Sequence, residues 1–316
     1  MKVLLIGHSR IGQRRVLPAL RALPQVSAIA VASRRWRPAP QEAAGAQVFA
    51  DYEDAIARSG AGLAYVSLEN SDHALWAERA LAQGMHVVVD KPAFLTAADA
   101  RRLAALARER GRCLAEATVF THHPQIEALR RSFGGAGAQP TRVVAVFSFP
   151  PLDPADFRYR RDRGGGALYD LGPYAAATSR VLFGRAPRNV SCEVLSRRTD
   201  GIDTAFSVLM TYDGGGSLAG HFGFDTEYQN RILALGPGVS AELDRAFTLA
   251  PEAGNRLLLR RANVASEIAL APADAFERFL GAVFRAIGVR QWDGFPEALR
   301  ADAELLESMR TIAGTG

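Results

Sequence analysis

The segment Val87–Pro92 (VVVDKP) is the stretch that indicates the fold. Its three valines predict a strand buried on both faces, because strands of parallel sheets read as continuous apolar runs. Pro92 ends that strand and biases Lys91 towards an extended backbone. Parallel sheets of α/β proteins place their chemistry at the carboxyl ends of strands, which makes Lys91 a candidate catalytic residue. The alternative is a solvated charge that merely follows a strand.

Apolar runs typical of strands alternate with helix-like segments on both sides of this stretch. Strands are predicted over residues 2–6, 27–32, 63–68, 85–90 and 113–119, and helices over residues 12–23, 52–58, 74–83 and 96–110. Thr96, with Asp99 three residues later, is a capping-box-like start for the last of these helices. Short turns between strands and helices predict a parallel sheet with right-handed crossovers. We therefore expect a dinucleotide-binding Rossmann domain over residues 1–118.

The turn over residues 7–12 (GHSRIG) has the form of the dinucleotide fingerprint G-x-G-x-x-G. Gly7 permits the tight turn, and Gly12 lets helix and strand approach closely. Ser9 occupies the second glycine position, where a small residue lets backbone amides reach the pyrophosphate. Because the turn follows a strand and opens a helix, we expect it to bind cofactor through Gly7, Ser9, Arg10, Ile11 and Gly12.

The end of the second predicted strand carries Ser33, Arg34 and Arg35. In an NAD site a carboxylate at this point holds the ribose 2′-hydroxyl. An acid would repel a 2′-phosphate, whereas a hydroxyl and guanidinium groups attract one. The sequence therefore predicts NADP(H) in preference to NAD(H), the alternative being solvated loop arginines.

The pattern changes after residue 118. A strand is predicted over residues 142–149, and a helix carrying Asp170 and Tyr174 follows the three glycines of residues 164–166. Residues 189–270 are rich in strands separated by glycine turns, and residues 272–287 and 296–312 predict two closing helices. We expect a second, α+β domain for substrate binding and oligomerisation over residues 119–316, with a mostly antiparallel, open-faced sheet and a C-terminal helix that can pack back on the first domain.

Composition limits the classes of function. The chain has 316 residues, of which 22% are charged, and a net charge of +5. It contains no apolar run long enough for a membrane span and no evident signal segment, so we expect a cytoplasmic protein without a membrane partner. The arginine pairs are scattered and accompany no nucleic-acid motif, which argues against a nucleic-acid partner. Cys113 and Cys192 lack metal-ligand spacing, so no metal site is expected.

The order of these pieces resembles the Gfo/Idh/MocA oxidoreductase family over nearly the whole chain. The family's Glu-Lys-Pro motif is similar to residues 90–92, with Asp90 in place of glutamate, and its Pro-Asn-x-x-His block is similar to residues 69–73. Residues 120–125 (FTHHPQ), 150–160 (PPLDPADFRYR) and 164–174 (GGGALYDLGPY) resemble more closely the nucleotide-diphosphate-hexose 3-ketoreductases of deoxysugar biosynthesis.

This resemblance implies a Rossmann domain followed by an open-faced sheet that commonly forms a dimer interface. We therefore expect a homodimer or homotetramer assembled through the C-terminal sheet, and a nucleotide-sugar as the small-molecule substrate. Leu68, Asn70, His73, Asp90 and Lys91 are then expected to bind the cofactor, with Asn70 and His73 near its nicotinamide side.

The reduction of a ketone needs a hydride at carbon and a proton at oxygen. A nicotinamide supplies the hydride. The resemblance makes Tyr174 the expected proton donor, and a nearby Lys91 cation would lower the pKa of that phenol and stabilise the developing alkoxide. Asp170 lies one helical turn before Tyr174 and so shares its face. It would orient the lysine or bind a sugar hydroxyl, unless it only stabilises the helix.

Five further residues are candidate substrate contacts beside Tyr174. These are His122, His123, Arg158, Tyr159 and Arg160. The arginines and the tyrosine would hold a nucleotide diphosphate and stack on its base, and one histidine would line the cleft. The alternatives are a solvated loop for residues 158–160 and a structural hydrogen bond for the histidines.

The leading hypothesis is an NADPH-dependent reductase of a keto group on a nucleotide-activated sugar. A dehydrogenase of a free sugar, cyclitol or related alcohol, or an imine reductase, is the alternative on the same scaffold. A non-catalytic NADP-sensing binding protein is a third class, against which the retention of both Lys91 and Tyr174 argues.

Overall fold

The computed structural model describes residues 1–34, 46–134 and 139–315. Arg35, one of the predicted cofactor-binding residues, lies outside them. The chain divides into two compact units, of which the first comprises Met1–Ala117 with Phe276–Ala303 and the second Thr118–Ala275 with Glu304–Gly316.

The first unit contains a six-stranded parallel sheet in the order β3-β2-β1-β4-β5-β6. Its strands are β1 (Lys2–Ile6), β2 (Ala28–Ala32), β3 (Ala46–Phe49), β4 (Leu63–Val66), β5 (His86–Val89) and β6 (Leu114–Glu116). Every residue of β4 and β5 is buried, as the continuous apolar runs predicted. The predicted Rossmann class of sheet is therefore confirmed.

The helices of the first unit begin where the sequence predicted them to within a few residues. A π-helical turn (Gly12–Val16) runs into α1 (Leu17–Ala22), and α2 (Tyr52–Arg58), α3 (His73–Ala82) and α4 (Ala97–Glu109) follow. Thr96 caps α4 by accepting a hydrogen bond from the amide of Asp99 at 3.0 Å, which confirms the predicted helix start.

The second unit contains an eight-stranded sheet in the order β14-β13-β12-β11-β7-β10-β9-β8. Its strands are β7 (Arg142–Ser148), β8 (Asn189–Arg197), β9 (Asp203–Thr211), β10 (Ser217–Gly223), β11 (Gln229–Gly236), β12 (Val239–Asp244), β13 (Asn255–Arg261) and β14 (Val264–Leu270). Only the pair of β7 and β10 is parallel among the described strands of this sheet. The predicted mostly antiparallel sheet is thus confirmed.

Helix α6 (Ala167–Phe183) packs on β9 and β10 and buries one side of this sheet. Other large apolar side chains on strands of the same sheet stay exposed. They are Leu195, Leu209, Leu258, Val264 and Ile268. Assembly of the protein through this sheet stays a prediction.

The elements that differ from expectation include β3, which was not predicted. Strand β6 covers only Leu114–Glu116, because the chain turns into a 3₁₀ helix at Val119–His122 instead of staying extended to residue 119. Helix α5 (Pro124–Arg131), which was not predicted, starts at Pro124 with His123 as its N-cap. The closing helices are α7 (Ala275–Val289) and α8 (Gly294–Ile312).

Among the described helices, none combines the length and the apolar character that a membrane crossing requires. Within the same residues, no group of His, Cys, Asp and Glu side chains has an arrangement that could hold a metal ion.

Candidate active site

The turn after β1 is tightly packed against the end of β4. Gly7 has a φ of +95°, a conformation that side chains disfavour. A Cβ atom at this position would lie 2.2 Å from the carbonyl oxygen of Ser67 and 2.6 Å from Leu68 Cδ2. Only glycine fits here, so the first position of the fingerprint is fixed by backbone geometry and by space.

Ser9 joins this turn to the neighbouring strand. Its Oγ accepts a hydrogen bond from the amide of Gly12 at 2.9 Å and lies 2.7 Å from Ser67 Oγ. Because an amide can only donate, the Ser9 hydroxyl hydrogen is left for Ser67. Arg10 and Ile11, at the tip of the turn, are exposed.

A buried network continues from Ser67 to the acid that precedes Lys91. Ser67 Oγ donates to Asp90 Oδ2 at 2.6 Å, and the Tyr65 hydroxyl donates to Asp90 Oδ1 at 2.7 Å. Ser67 directly follows β4, and its side chain points to the same side as that of Tyr65, since side chains alternate along an extended chain. The register of β4 with β5 continues to the Asp90 amide, which donates to the Val66 carbonyl at 3.0 Å. The strand register therefore brings these three side chains together.

Burial controls the acid–base behaviour of this network. Burial raises the pKa of Asp90, and the hydrogen bonds from Ser67 and Tyr65 oppose that rise. Burial also raises the pKa of Tyr65 well above its ordinary value, with the charge of Asp90 adding to the effect. Two hydroxyl groups thus hold the Asp90 side chain by hydrogen bonds.

The backbone on the far side of Lys91 is fixed by two other side chains. The Lys91–Pro92 peptide bond is cis. The Pro92 carbonyl lies 2.9 Å from His73 Nδ1, and the Ala93 amide donates to Glu116 Oε2 at 2.7 Å. With Asp90 held on the other side, the half-buried Lys91 stands on a backbone fixed at both ends.

His73 is completely buried and spans two backbone segments. Its Nε2 lies 3.1 Å from the Leu68 carbonyl while its Nδ1 faces that of Pro92. Carbonyls only accept, so a neutral ring donates to one of them and a protonated ring to both. Asn70, also buried, begins the 3₁₀ turn Asn70–Asp72 that leads into α3.

The end of β2 carries the residues expected to select the cofactor. Ser33 is buried, and its amide donates to the Phe49 carbonyl at 2.9 Å. Arg34 is exposed, and its guanidinium carbon lies 4.6 Å from the ring centroid of Tyr52 and 5.6 Å from that of Trp76.

In the second unit, Tyr174 lies on α6 within a group of aromatic rings. Its ring centroid is 5.0 Å from that of Phe147, 5.3 Å from Phe247 and 5.7 Å from Phe120. Edge-on contacts of this kind fix the plane of a ring. Tyr174 itself is half-buried, so the aromatic group holds it without enclosing it.

Asp170, one turn before Tyr174, is held by an arginine. Arg158 Nε donates to Asp170 Oδ2 at 2.8 Å, and Arg158 Nη1 lies 3.2 Å from Asp156 Oδ1. Asp170 first and then Asp156 raise the pKa of Arg158 above its already high ordinary value. Because the Arg158 guanidinium already pairs with two carboxylates, it is better suited to hold Asp170 than to bind a phosphate.

The three glycines before α6 make this pairing possible. Cβ atoms at Gly165 and Gly166 would lie 2.5 Å from the Arg158 carbonyl and 2.4 Å from Asp203 Oδ1. Asp203 Oδ2 accepts a hydrogen bond from the Leu168 amide at 2.7 Å and so caps α6 from strand β9. The glycines therefore allow the turn that carries Arg158 to lie against the start of the helix.

The other predicted substrate residues are held in different ways. Tyr159 is only 7% exposed, its hydroxyl accepts from the Leu152 amide, and the Arg198 guanidinium lies over its ring at 4.4 Å. These contacts favour packing over base stacking. Arg160 is exposed and pairs with Asp162 at 3.1 Å.

The two histidines occupy different environments. His123 is buried and caps α5, accepting from the Gln125 amide at 3.2 Å, which matches the structural alternative. His122 is half-buried in the preceding 3₁₀ turn, so its side chain lies nearer the surface than that of His123.

Within each unit, the structure brings together residues that are distant in sequence. Gly7, Ser9 and Asp90 meet through Ser67 in the first unit, and Asp170 meets Arg158 in the second. The sequence analysis missed Tyr65, Ser67 and Glu116. Tyr65 and Ser67 alternate with apolar residues at the end of a predicted strand, but their contact with Asp90 could be predicted only from the register of that strand with β5.

The chain belongs to the GFO/IDH/MocA oxidoreductase family. Residues 1–118 match the model described as an oxidoreductase family with an NAD-binding Rossmann fold, and residues 134–242 match the GFO/IDH/MocA C-terminal domain. The resemblance predicted from the Asp90-Lys91-Pro92 motif is therefore confirmed.

Among the relatives are sugar-nucleotide reductases. A dTDP-3,4-didehydro-2,6-dideoxy-α-D-glucose 3-reductase of Streptomyces violaceoruber is 36% identical, covering 82% of this chain and 77% of its own. A reductase of the same name from Actinomadura kijaniata is 31% identical, covering 99% and 96%. A 3-ketoreductase from A. kijaniata, solved with TDP-benzene and NADP and with one tyrosine replaced by phenylalanine, superposes with a TM-score of 0.92, at 30% identity and 99% and 98% coverage.

Proposed function

We propose that this oxidoreductase uses NADPH to reduce a keto group on a nucleotide-activated deoxysugar. The observation that carries the proposal is the match to dTDP-sugar 3-reductases, one of which aligns over 99% of this chain. The alignment includes both the strand-end segment around Lys91 and the helix of Tyr174.

The residues of the first unit fit a dinucleotide. Gly7 admits no side chain, the turn opens a helix, and Arg10 and Ile11 lie exposed at its tip. Helix N-termini bind phosphate through free amides and the helix dipole. Arg34, exposed at the end of β2, provides a cation for a 2′-phosphate where NAD sites carry an acid.

Tyr174 is proposed as the proton donor and Lys91 as its electrostatic partner. A bound nicotinamide supplies the hydride. The phenol then donates its proton to the ketone oxygen, and the ammonium stabilises the negative charge as it develops on the two oxygens. The aromatic group around Tyr174 and the fixed backbone around Lys91 support this assignment, since each side chain starts from a fixed position.

The contacts of Asp170, Arg158 and Arg160 support a different role for each of them. Asp170 binds a sugar hydroxyl or orients the donor, with Arg158 holding it in place. Arg160 is the more suitable arginine for a nucleotide diphosphate, because its guanidinium is exposed while that of Arg158 is engaged by two carboxylates.

The test is the oxidation of NADPH with a dTDP-linked 3-keto sugar, compared with the same sugar lacking the nucleotide. We expect turnover only with the nucleotide-linked sugar and competitive inhibition by free dTDP. Equal rates with both sugars, or activity only in oxidising free sugars and cyclitols with NADP⁺, would refute the nucleotide-sugar assignment.

A further inference from the structure

The residues around Arg34 in the first unit suggest how the cofactor preference arises. The Arg34 guanidinium lies over two aromatic side chains that approach it from two helices, Tyr52 at the start of α2 and Trp76 within α3. We propose that Tyr52 and Trp76 form an aromatic platform that positions Arg34 for the 2′-phosphate of NADPH. This inference rests on the proposed use of NADPH.

The platform itself is rigid. The two rings meet edge to face, with centroids 5.0 Å apart and planes at 80°. Tyr52 is 8% exposed and Trp76 is 5% exposed, so neighbouring residues fix both rings. The start of α2 is fixed as well, because Asp51 accepts a hydrogen bond from the Asp54 amide at 3.0 Å.

A ring contact uses none of the groups with which an arginine binds an anion. A cation over a ring is attracted by the ring's quadrupole, an interaction that consumes no N–H donor and leaves the charge in place. A carboxylate in the same place would also hold Arg34, but it would occupy the donors that fit a phosphate and repel the phosphate itself. The aromatic rings therefore position the guanidinium without neutralising it.

Two acids that follow Tyr52 in the first turn of α2 form ion pairs with arginines. Asp54 pairs with Arg58 at 2.9 Å, and Glu53 pairs with Arg79 at 3.5 Å. The first turn of α2 thus carries two carboxylates, and each has its own arginine. Arg34 itself lies at the end of β2, where the ribose of a dinucleotide lies in doubly wound sheets.

The inference predicts an effect on selectivity and not merely on affinity. Damage to the fold weakens NADPH and NADH binding alike, whereas misplacing Arg34 weakens only the cofactor that has a 2′-phosphate. The ratio of the two dissociation constants, measured by titrating the fluorescence of the reduced nicotinamide, therefore isolates the proposed role. It requires no turnover.

Tyr52→Leu keeps an apolar side chain and removes the ring. We expect it to reduce the preference for NADPH by about two- to fivefold, the range of an exposed cation–π contact. Tyr52→Phe keeps the ring and should retain the preference. Trp76→Leu removes the more distant ring, tests the platform independently of α2 and should have the smaller effect.

A double-mutant cycle with Arg34→Ala decides whether the rings act through the arginine. Arg34→Ala alone should reduce the preference on the order of ten- to a hundredfold, the range for a hydrogen-bonded charged group. Tyr52→Leu added to Arg34→Ala should then change the ratio no further.

Two results would separate the inference from the function on which it rests. If the wild type lacks a preference for NADPH, or keeps it in Arg34→Ala, the cofactor assignment and the platform both fail. If Arg34→Ala reduces the preference but Tyr52→Leu and Trp76→Leu leave it intact, or lower it as much in the Arg34→Ala background as in the wild type, only the platform is refuted.

Discussion

The two units each hold a carboxyl side chain, but in different ways. In the first, Asp90 accepts hydrogen bonds from the neutral hydroxyls of Tyr65 and Ser67. In the second, Asp170 accepts from the guanidinium of Arg158, which also pairs with Asp156. Each carboxylate lies next to a proposed catalytic residue, Asp90 beside Lys91 in sequence and Asp170 one helical turn before Tyr174.

The difference separates two ways of fixing a side chain. Hydroxyl groups hold Asp90 by hydrogen bonds, and burial still raises the pKa of its carboxyl group against the opposing effects of those bonds and of the His73 and Lys91 charges. An ion pair gives Asp170 a compensated charge and a defined orientation, but loss of either partner leaves the other charge buried. The first arrangement suits electrostatic tuning near a lysine, and the second suits rigid support of a helix.

The largest expected effect comes from Tyr174, which lies one helical turn after the ion-paired Asp170. Tyr174→Phe removes the proposed proton donor while keeping its ring among Phe147, Phe247 and Phe120. We expect kcat with the keto-sugar nucleotide to fall by about 10²–10⁴-fold, the usual contribution of a positioned acid. The Kd for NADPH should stay unchanged in a fluorescence titration. A kcat near that of the wild type would remove Tyr174 from the chemistry.

Breaking the ion pair should cost stability. Asp170→Ala leaves Arg158 with one carboxylate partner, and because its side chain is 31% exposed we expect a loss of about 2 kcal/mol. Urea denaturation measures this loss. Asp162→Ala is the matched control, since the pair of Arg160 and Asp162 is exposed and its loss should change nothing measurable. Equal losses in the two variants would show that Asp170 and Arg158 are not a structural pair.

The hydroxyl network is tested by removing single hydroxyls from buried tyrosines. Tyr65→Phe deletes a hydrogen bond to a charged acceptor and should cost about 2 kcal/mol. Tyr212→Phe deletes a bond of the same length to the neutral Ser179 hydroxyl and should cost about 1 kcal/mol. Native-state hydrogen exchange of the amides in β4 and in β9 reports each cost locally. A larger cost for Tyr212→Phe would argue that Asp90 is protonated in the folded protein.

The smallest effect concerns pH. Burial raises the pKa of Asp90 above its ordinary 3.8, so the folded state holds this proton more tightly than the unfolded state does. Its contribution to stability is therefore complete below pH 3.8 and is lost as the pH rises through the raised value. We expect the stability of Asp90→Asn, which does not ionise, to rise relative to that of the wild type as the pH increases from about 4 to about 8.

Denaturation of both proteins across that pH range measures the difference. A variant whose relative stability falls with rising pH would show that the pKa of Asp90 is lowered in the fold, and that the hydroxyl bonds outweigh burial.

The sequence predicted the elements whose cause is local. The β5 strand, the Thr96 cap and the helix at residues 52–58 follow from apolar runs, short-range hydrogen bonds and spacing. It did not predict β3, a strand of only four residues, or α5, which has only eight. Short elements of this kind depend on their neighbours more than on intrinsic propensity.

Residues of the candidate site that belong to sequence motifs could be predicted. Residues that reach the site only through the pairing of strands could not. Lys91, Gly7 and Tyr174 stand in recognisable patterns. Tyr65 and Ser67 reach Asp90 only because β4 pairs with β5 in one register, and Asp203 caps α6 from a strand 35 residues away. Such partners depend on tertiary pairing, which periodicity in a single chain does not specify.

The most direct test asks whether Lys91 and Tyr174 act as a unit. It compares kcat for Lys91→Met, Tyr174→Phe and the double variant with the same keto-sugar nucleotide and saturating NADPH. Residues that serve one proton transfer give losses that do not multiply, so the double variant should be about as slow as the slower single variant. Losses that multiply would mean that the ammonium and the phenol work independently, and would contradict the proposed mechanism.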